Sequence, residues 1–154
     1  MKTDEYLRQC GVPFQVVSHQ EAFDALRLAE ATHTPGREVA KTVLLRVDRG
    51  FRYVVAVLPA THHIDFVALS KDLGGANVEL ATEDEVSERC PECEVGVLPP
   101  FGSQYDVETI VDVSLVDDEE IVFEGSTHTE AIRMSYQDFY NVEHPRVAKF
   151  ARAG

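Results

Sequence analysis

The stretch VAKTVLLRVDRGFRYVVAVL, residues 39–58, decides the fold because two β-rich segments flank one short turn. Residues 39–47 are apolar apart from three polar positions, and residues 51–58 are again rich in valine. The intervening Asp48-Arg49-Gly50 is typical of a tight turn. The pattern therefore predicts a β-hairpin at the centre of a sheet.

Short helix and strand patterns alternate on both sides of this hairpin. Strands are predicted over residues 14–17, 78–80, 109–113, 121–123 and 132–134. Helices are predicted over residues 3–10, 66–73, 82–89, 135–140 and 145–152. One more helix is predicted to begin at a capping box formed by Ser18 and Glu21. Long strand–helix–strand crossovers are not evident. The sequence therefore favours a mixed α/β (α+β) domain with a mostly antiparallel or mixed sheet.

Length, charge and hydropathy limit the classes of function. The 154 residues fit one domain over residues 1–154, and no apolar run reaches the roughly 18 residues that span a bilayer. The net charge of −13 argues against a broad nucleic-acid footprint. It still permits a small pocket that holds only the end of a nucleic acid. Without a signal-peptide pattern at the N-terminus, we expect a cytoplasmic protein with no membrane partner.

Lys41 is the first candidate for chemistry, because a lysine near the start of so apolar a strand is unusual. If its side chain points inward, burial without a partner would be costly, and a phosphate or another anionic ligand could supply that partner. The alternative is a structural lysine whose ammonium reaches solvent at the strand entry.

The second candidate is the segment GVLPPFG, residues 96–102, which we call the glycine–proline loop. Prolines fix φ, and glycines allow the backbone to approach a ligand closely. Such a loop can present amide N–H groups to a carbonyl or phosphate oxygen. The alternative is a rigid connector that binds nothing.

These two candidates belong to a longer series of segments that covers nearly the whole chain. The series is Ala40-Lys41-Thr42, Leu58-Pro59-Ala60, Ile64-Asp65-Phe66, the glycine–proline loop, Gly125-Ser126-Thr127-His128-Thr129 and Ile132-Arg133-Met134. In this order and spacing, the series resembles the YbaK/prolyl-tRNA synthetase-associated domain family of aminoacyl-tRNA deacylases. The resemblance implies a mixed, mostly antiparallel, β-barrel-like sheet with flanking helices.

The resemblance also implies a function: a trans-editing hydrolase that cleaves the ester of a mischarged tRNA, with tRNA-Pro as one candidate. Lys41 and Gly96 would be the catalytic positions, Lys41 at the terminal nucleotide and the loop amides at the ester carbonyl. Water would attack the ester without a protein nucleophile, cofactor or metal. The partners would be the tRNA acceptor end and, in some systems, an aminoacyl-tRNA synthetase. Substrate-binding positions would be Thr42, Leu98, Pro99, Pro100, Phe101, Gly102 and His128.

Two positions leave the amino-acid preference open. Pro99 stands where the family often has a small hydroxyl residue. The proline adds rigidity and removes a hydrogen-bond donor. Thr42 follows the lysine as in cysteine-clearing members, whereas an alanine-clearing subgroup has asparagine there. Neither class is favoured by these residues.

Two other functions remain open on the sequence. The charge of −13 also suits a non-catalytic aminoacyl- or nucleotide-binding module of the same fold. Cys90 and Cys93 form a CxxC motif that could serve a metal or redox site, but a zinc site usually needs a second ligand pair. An odd total of three cysteines does not suggest a disulfide framework, so we expect two loop cysteines without a role. The adjacent His62 and His63 are expected at the surface or in a turn.

Overall fold

The computed structural model describes all residues from 1 to 154 and contains five helices and ten strands. The helices are α1 (Thr3–Cys10), α2 (Ala25–Ala31), α3 (Phe66–Asp72), α4 (Glu83–Arg89) and α5 (Tyr136–Glu143). The first strands are β1 (Gln15–Ser18), β2 (Ala40–Val47), β3 (Arg52–Pro59), β4 (His62–Ile64) and β5 (Val78–Leu80). The remaining strands are β6 (Glu108–Asp112), β7 (Glu120–Thr127), β8 (Glu130–Ser135), β9 (Arg146–Ala148) and β10 (Ala151–Ala153). None of the helices has the length and apolar character needed to cross a bilayer.

The predicted hairpin is confirmed and lies inside the largest sheet. Strands β2 and β3 pair antiparallel, with Ala40 opposite Pro59 and Val47 opposite Arg52. The sheet has the order β5-β2-β3-β6-β9, in which β3–β6 and β6–β9 are parallel pairs. Strand β3 is buried from Val54 onward, as expected for a strand covered on both faces.

The side chains of β3 alternate between two hydrophobic clusters. Val55 and Val57 face a cluster that includes the rings of Phe101, Phe123 and Phe139. Val54, Ala56 and Leu58 face a second cluster on the other side, built with Leu69 and Phe150. This alternation follows from the two-residue period of a strand and gives the sheet an apolar layer on each face.

A second sheet positions the site against the hairpin. Strands β1, β8 and β7 pair antiparallel in the order β1-β8-β7. A parallel bridge between Val39 and Val122 joins this sheet to the start of β2. The mixed, mostly antiparallel α+β fold is therefore confirmed, although the sheets do not close into a barrel.

The capping box predicted at Ser18 and Glu21 is wrong. Helix α2 begins at Ala25, and the N-cap is Asp24, whose Oδ1 accepts a hydrogen bond from the N–H of Arg27 at 2.8 Å. The backbone N–H groups of His19 and Ala22 donate instead to the turn at residues 128–129. Because these N–H groups are used in tertiary contacts, the helix starts later than the local pattern indicates.

The helix predicted over residues 145–152 is also wrong, since this segment forms β9 and β10. Strand β9 adds to β6, and β10 pairs antiparallel with β4. Between them, the N–H groups of Phe150 and Ala151 both donate to Oδ1 of Asp112 at 2.9 Å. These long-range hydrogen bonds outweigh the local helix signal behind Pro145.

Candidate active site

A small cavity lies where β2, the start of α2, β7 and the glycine–proline loop meet. Its volume is about 130 Å³, and we call it the inner cavity. The residues that line it are Phe23, Asp24, Ala25, Leu28, Ala40, Lys41, Thr42, Gly96, Leu98 and Glu124. The structure thus brings together Lys41, Thr42, Gly96 and Leu98, four of the residues that the sequence singles out.

Lys41 lies near the beginning of β2, opposite Leu58, and is half-buried. Burial lowers the pKa of its ammonium group, and no neighbouring carboxylate offsets this effect. Thr42 follows it on the strand and is also half-buried. A partly desolvated cation without an ion-pair partner can stabilise an anionic or strongly polar ligand.

The first half of the glycine–proline loop borders the inner cavity through Gly96 and Leu98. Gly96 has φ +86°, a left-handed conformation that favours glycine. The N–H of Val97 donates to the carbonyl of Glu94 at 3.0 Å, whereas the N–H groups of Gly96 and Leu98 have no acceptor within the protein. Two amides in one short segment can therefore donate to an oxygen atom of a ligand.

The second half of this loop, residues 99–102, is buried and does not line the inner cavity. The ring of Phe101 contacts those of Tyr6, Phe123 and Phe139, with centroids 5.5 to 5.6 Å apart. Gly102 lies so close to the chain that a Cβ atom there would be 2.5 Å from the carbonyl oxygen of Val107. Pro99, Pro100, Phe101 and Gly102 are thus placed where they anchor the loop in the core.

His128 lies behind the loop and outside the lining of the inner cavity. Its Nε2 is 2.8 Å from the carbonyl oxygen of Val95, and its Nδ1 is 3.2 Å from that of Ala22. Its ring packs on Phe23 with centroids 4.7 Å apart. The buried imidazole therefore connects the loop to the segment that precedes α2.

Glu124 on β7 is a lining residue that sequence reasoning missed. Its side chain is only 18% exposed, and its Oε1 is 3.9 Å from Nδ1 of His128. Burial raises the pKa of this carboxyl to about 7; Asp24 and Glu94 add to the shift, and His128 opposes it. The only signal in the sequence is one acidic residue directly after the apolar run Ile121-Val122-Phe123.

Comparisons with known proteins assign the chain to a family. Residues 19–142 match the aminoacyl-tRNA editing domain family. The chain belongs to this family. The match includes the glycine–proline loop and every residue that lines the inner cavity. The editing domain is also similar to part of longer enzymes and to several solved structures.

Among curated relatives, the proline–tRNA ligase of Geobacillus sp. (strain WCH70) is 30% identical over 112 residues. That alignment covers 63% of this chain and 19% of the ligase. The proline–tRNA ligase of Bacillus cytotoxicus is 38% identical over 72 residues, covering 47% of this chain and 12% of the ligase. The chain thus spans less than a fifth of the length of these ligases.

Two solved structures share the fold at lower identity. A hypothetical protein aligns with a TM-score of 0.86 at 19% identity, covering 97% of this chain and 98% of its own. A proposed trans-editing enzyme for prolyl tRNA synthetase aligns with a TM-score of 0.77 at 18% identity, covering 90% of this chain and 87% of its own. At such identities the likeness concerns the fold alone.

A second, open space adjoins the inner cavity of the editing domain. This outer groove has a volume of about 930 Å³ and shares Lys41, Asp24 and Ala25 with the inner cavity. Arg27, His33 and His63 also line it, together with Glu30, which pairs with Arg27 at 3.3 Å. His63 is exposed on β4, while its neighbour His62 is half-buried. Lys41 thus lies at the junction of the two spaces.

The cysteines of the CxxC motif are joined, contrary to the expectation of two loop cysteines without a role. Cys90 and Cys93 form a disulfide with Cα atoms 5.4 Å apart, and Cys10 is free and exposed. A tight turn after α4, in which the N–H of Cys93 donates to the carbonyl of Cys90, brings the two cysteines together. The disulfide therefore closes the segment that leads into the glycine–proline loop.

Proposed function

We propose that this editing domain hydrolyses the ester bond of mischarged aminoacyl-tRNA in trans, with tRNA-Pro as the first candidate substrate, and that residues 1–154 act as one domain. The observation that carries the proposal is the junction at Lys41. There, a cation without an ion-pair partner and two amides without acceptors surround one small cavity. The prolyl-tRNA ligases among its relatives motivate the choice of tRNA.

The two spaces suit the two parts of such a substrate. The inner cavity accepts the aminoacyl group, with Leu98 and Thr42 as walls. The far larger outer groove accepts the terminal nucleotide, and Lys41 at the junction contacts its phosphate or ribose. This division confines contact with the acidic chain to the acceptor end of the tRNA.

Catalysis in this proposal depends on position and electrostatics. The N–H groups of Gly96 and Leu98 donate to the ester carbonyl and stabilise the negative charge that develops when water attacks. Lys41 and Gly96 are the catalytic residues because they touch the reacting group. Five other residues have an indirect role, because they position the loop that carries these amides: Pro99, Pro100, Phe101, Gly102 and His128.

The expected partners are the acceptor end of tRNA and, as a source of mischarged tRNA, an aminoacyl-tRNA synthetase. A role in translation fidelity also places the protein in the cytoplasm. The proposal needs no membrane, cofactor or metal.

Deacylation of a panel of mischarged tRNAs tests the proposal. We expect the wild type to hydrolyse at least one pair, and we expect Lys41→Ala to lower kcat/KM by about 10- to 100-fold, the value of a hydrogen bond to a charged group. The matched control is Lys71→Ala, which removes an exposed lysine from the end of α3 and should leave the rate unchanged. Inactivity of the wild type on every pair would overturn the function, and an unaffected Lys41→Ala would overturn only the site.

A non-catalytic binding module is the second candidate, favoured by the net charge of −13. It predicts saturable binding of an aminoacyl-adenosine amide without turnover of any mischarged tRNA. Measured hydrolysis would exclude it.

A further inference from the structure

An aminoacyl ester carries two polar groups with opposite hydrogen-bonding requirements. Its carbonyl oxygen needs hydrogen-bond donors, and its α-ammonium needs an acceptor, best an anion. The inner cavity offers donors at Lys41, Gly96 and Leu98. Only two carboxylates line it, those of Asp24 and Glu124.

Asp24 is already engaged, whereas Glu124 is not. Oδ1 of Asp24 accepts the N–H of Arg27 as the cap of α2, and the residue is exposed. Glu124 accepts no hydrogen bond from the protein. The nearest cationic candidate is His128, at 3.9 Å, but its Nδ1 already lies 3.2 Å from the carbonyl oxygen of Ala22.

We propose that Glu124 binds the α-ammonium group of the aminoacyl substrate and makes the site selective for acyl groups that carry a free, charged amine. This proposal rests on the proposed function and names a specificity-determining residue for it. The carboxylate holds the amine on the side of β7, while the loop amides hold the carbonyl on the side of residues 96–98.

The charges around Glu124 predict how this selectivity depends on pH. Asp24 faces it from the start of α2, Glu94 from the segment before the glycine–proline loop and His128 from the turn after β7, while Lys41 lines the same cavity from β2. Burial raises the pKa of Glu124 to about 7 without a ligand. A bound ammonium lowers that pKa again, so affinity for the amine should increase as the pH rises through 7. It should fall once the ligand's α-amine loses its own proton, around 8 for an ordinary α-amine.

The experiment compares two substrates that differ at one group. One is the aminoacyl-tRNA with the fastest turnover, and the other is its α-hydroxyacyl counterpart, in which a hydroxyl replaces the amine. We expect the wild type to prefer the amine by about 10- to 100-fold in kcat/KM. Glu124→Gln should reduce this ratio to near unity while hydrolysing the hydroxyacyl substrate within about threefold of the wild-type rate.

Two further variants keep the test decisive. Glu120→Gln neutralises an exposed carboxylate on the same strand and should retain the full preference. Glu124→Asp retains the charge and should keep part of the preference. If Glu124→Gln retains the amine preference, or if it loses both substrates equally as a general base or a structural residue would, the proposal is wrong.

A binding measurement separates this proposal from the proposed function. The probes are a 3′-aminoacylamino-3′-deoxyadenosine and the same compound without its α-amine, titrated calorimetrically between pH 6 and 8. We expect the amine to strengthen binding to the wild type, with an increase through pH 7 that Glu124→Gln abolishes. Equal affinities of the wild type for the two probes, or no binding of either, would overturn the role of Glu124. Hydrolysis plays no part in this result, so an inactive but amine-selective protein would contradict only the proposed function.

Discussion

The two halves of the glycine–proline loop differ although they are adjacent in sequence. Gly96 and Leu98 line the inner cavity and carry the two free amides, whereas residues 99–102 are buried and do not line it. Even the two glycines are required for different reasons. Gly96 adopts φ +86°, while Gly102 has no room for a Cβ atom.

This difference shows that a short motif can combine a ligand-facing segment with its own support. Backbone amides stabilise a developing charge well only when they are fixed in advance. Phe101 provides that fixation through its contacts with three other aromatic rings. Substitutions in the two halves should therefore affect different measured quantities.

The largest effect is expected for Phe101→Ala. The ring is completely buried, so its removal should lower the free energy of unfolding by about 3–5 kcal/mol. Chemical denaturation followed by circular dichroism measures this change. The control is Phe51→Ala, whose ring is 87% exposed and which should shift stability by no more than about 0.5 kcal/mol. Equal effects of the two substitutions would contradict the anchoring role of the second half.

Gly96→Ala should act mainly on the reaction. Its Cβ atom would meet nothing closer than 3.8 Å, so any effect must come from the backbone conformation. A left-handed alanine costs about 1–2 kcal/mol, and the displaced amide should lower kcat/KM by about 100-fold. Single-turnover deacylation and thermal denaturation together measure both quantities.

The matched control for that substitution is Gly74→Ala. Gly74 has φ +78° and no atom within 4 Å of a Cβ. The Gly74→Ala variant should therefore lose as much stability as Gly96→Ala but retain its activity. If both variants lose activity in proportion to stability, the first half of the loop has no special part in catalysis.

The sequence predicts the elements whose signals are local. The helices predicted over residues 66–73 and 82–89 are confirmed as α3 and α4, because their caps, Asp65 and the Thr82/Glu85 box, depend on residues within one turn. The strands at residues 146–153 escape prediction because their partners, β6 and β4, are far away in sequence. Tertiary hydrogen bonds to Asp112 determine that segment.

The same distinction applies to the candidate site. Lys41 and the loop can be found from sequence because each is unusual in its own segment. Glu124 and Asp24 cannot, because long-range contacts, among them the bridge between Val39 and Val122, bring β7 and the start of α2 beside β2. Family resemblance predicts His128 in the pocket, whereas in the structure its Nε2 lies 2.8 Å from the carbonyl oxygen of Val95, directly before the loop.

The smallest effect is expected for the segment that precedes the loop. Cross-linking Cys90 to Cys93 closes a very short segment, for which loop entropy gives roughly 2 kcal/mol. The double variant Cys90→Ser/Cys93→Ser should therefore lower the free energy of unfolding by about that amount relative to the oxidised wild type. Compared with the reduced wild type, the double variant should lose much less free energy of unfolding.

Activity should respond less than stability in this variant. The N–H of Glu94 donates to the carbonyl of Ser126 at 2.9 Å, and His128 holds Val95 at 2.8 Å, so two hydrogen bonds fix the chain between the disulfide and Gly96. We expect kcat/KM within about threefold of the wild type, because these two hydrogen bonds remain in the variant and leave the amide geometry unchanged. A loss as large as that of Gly96→Ala would instead show that the disulfide, and not His128, positions the first half of the loop.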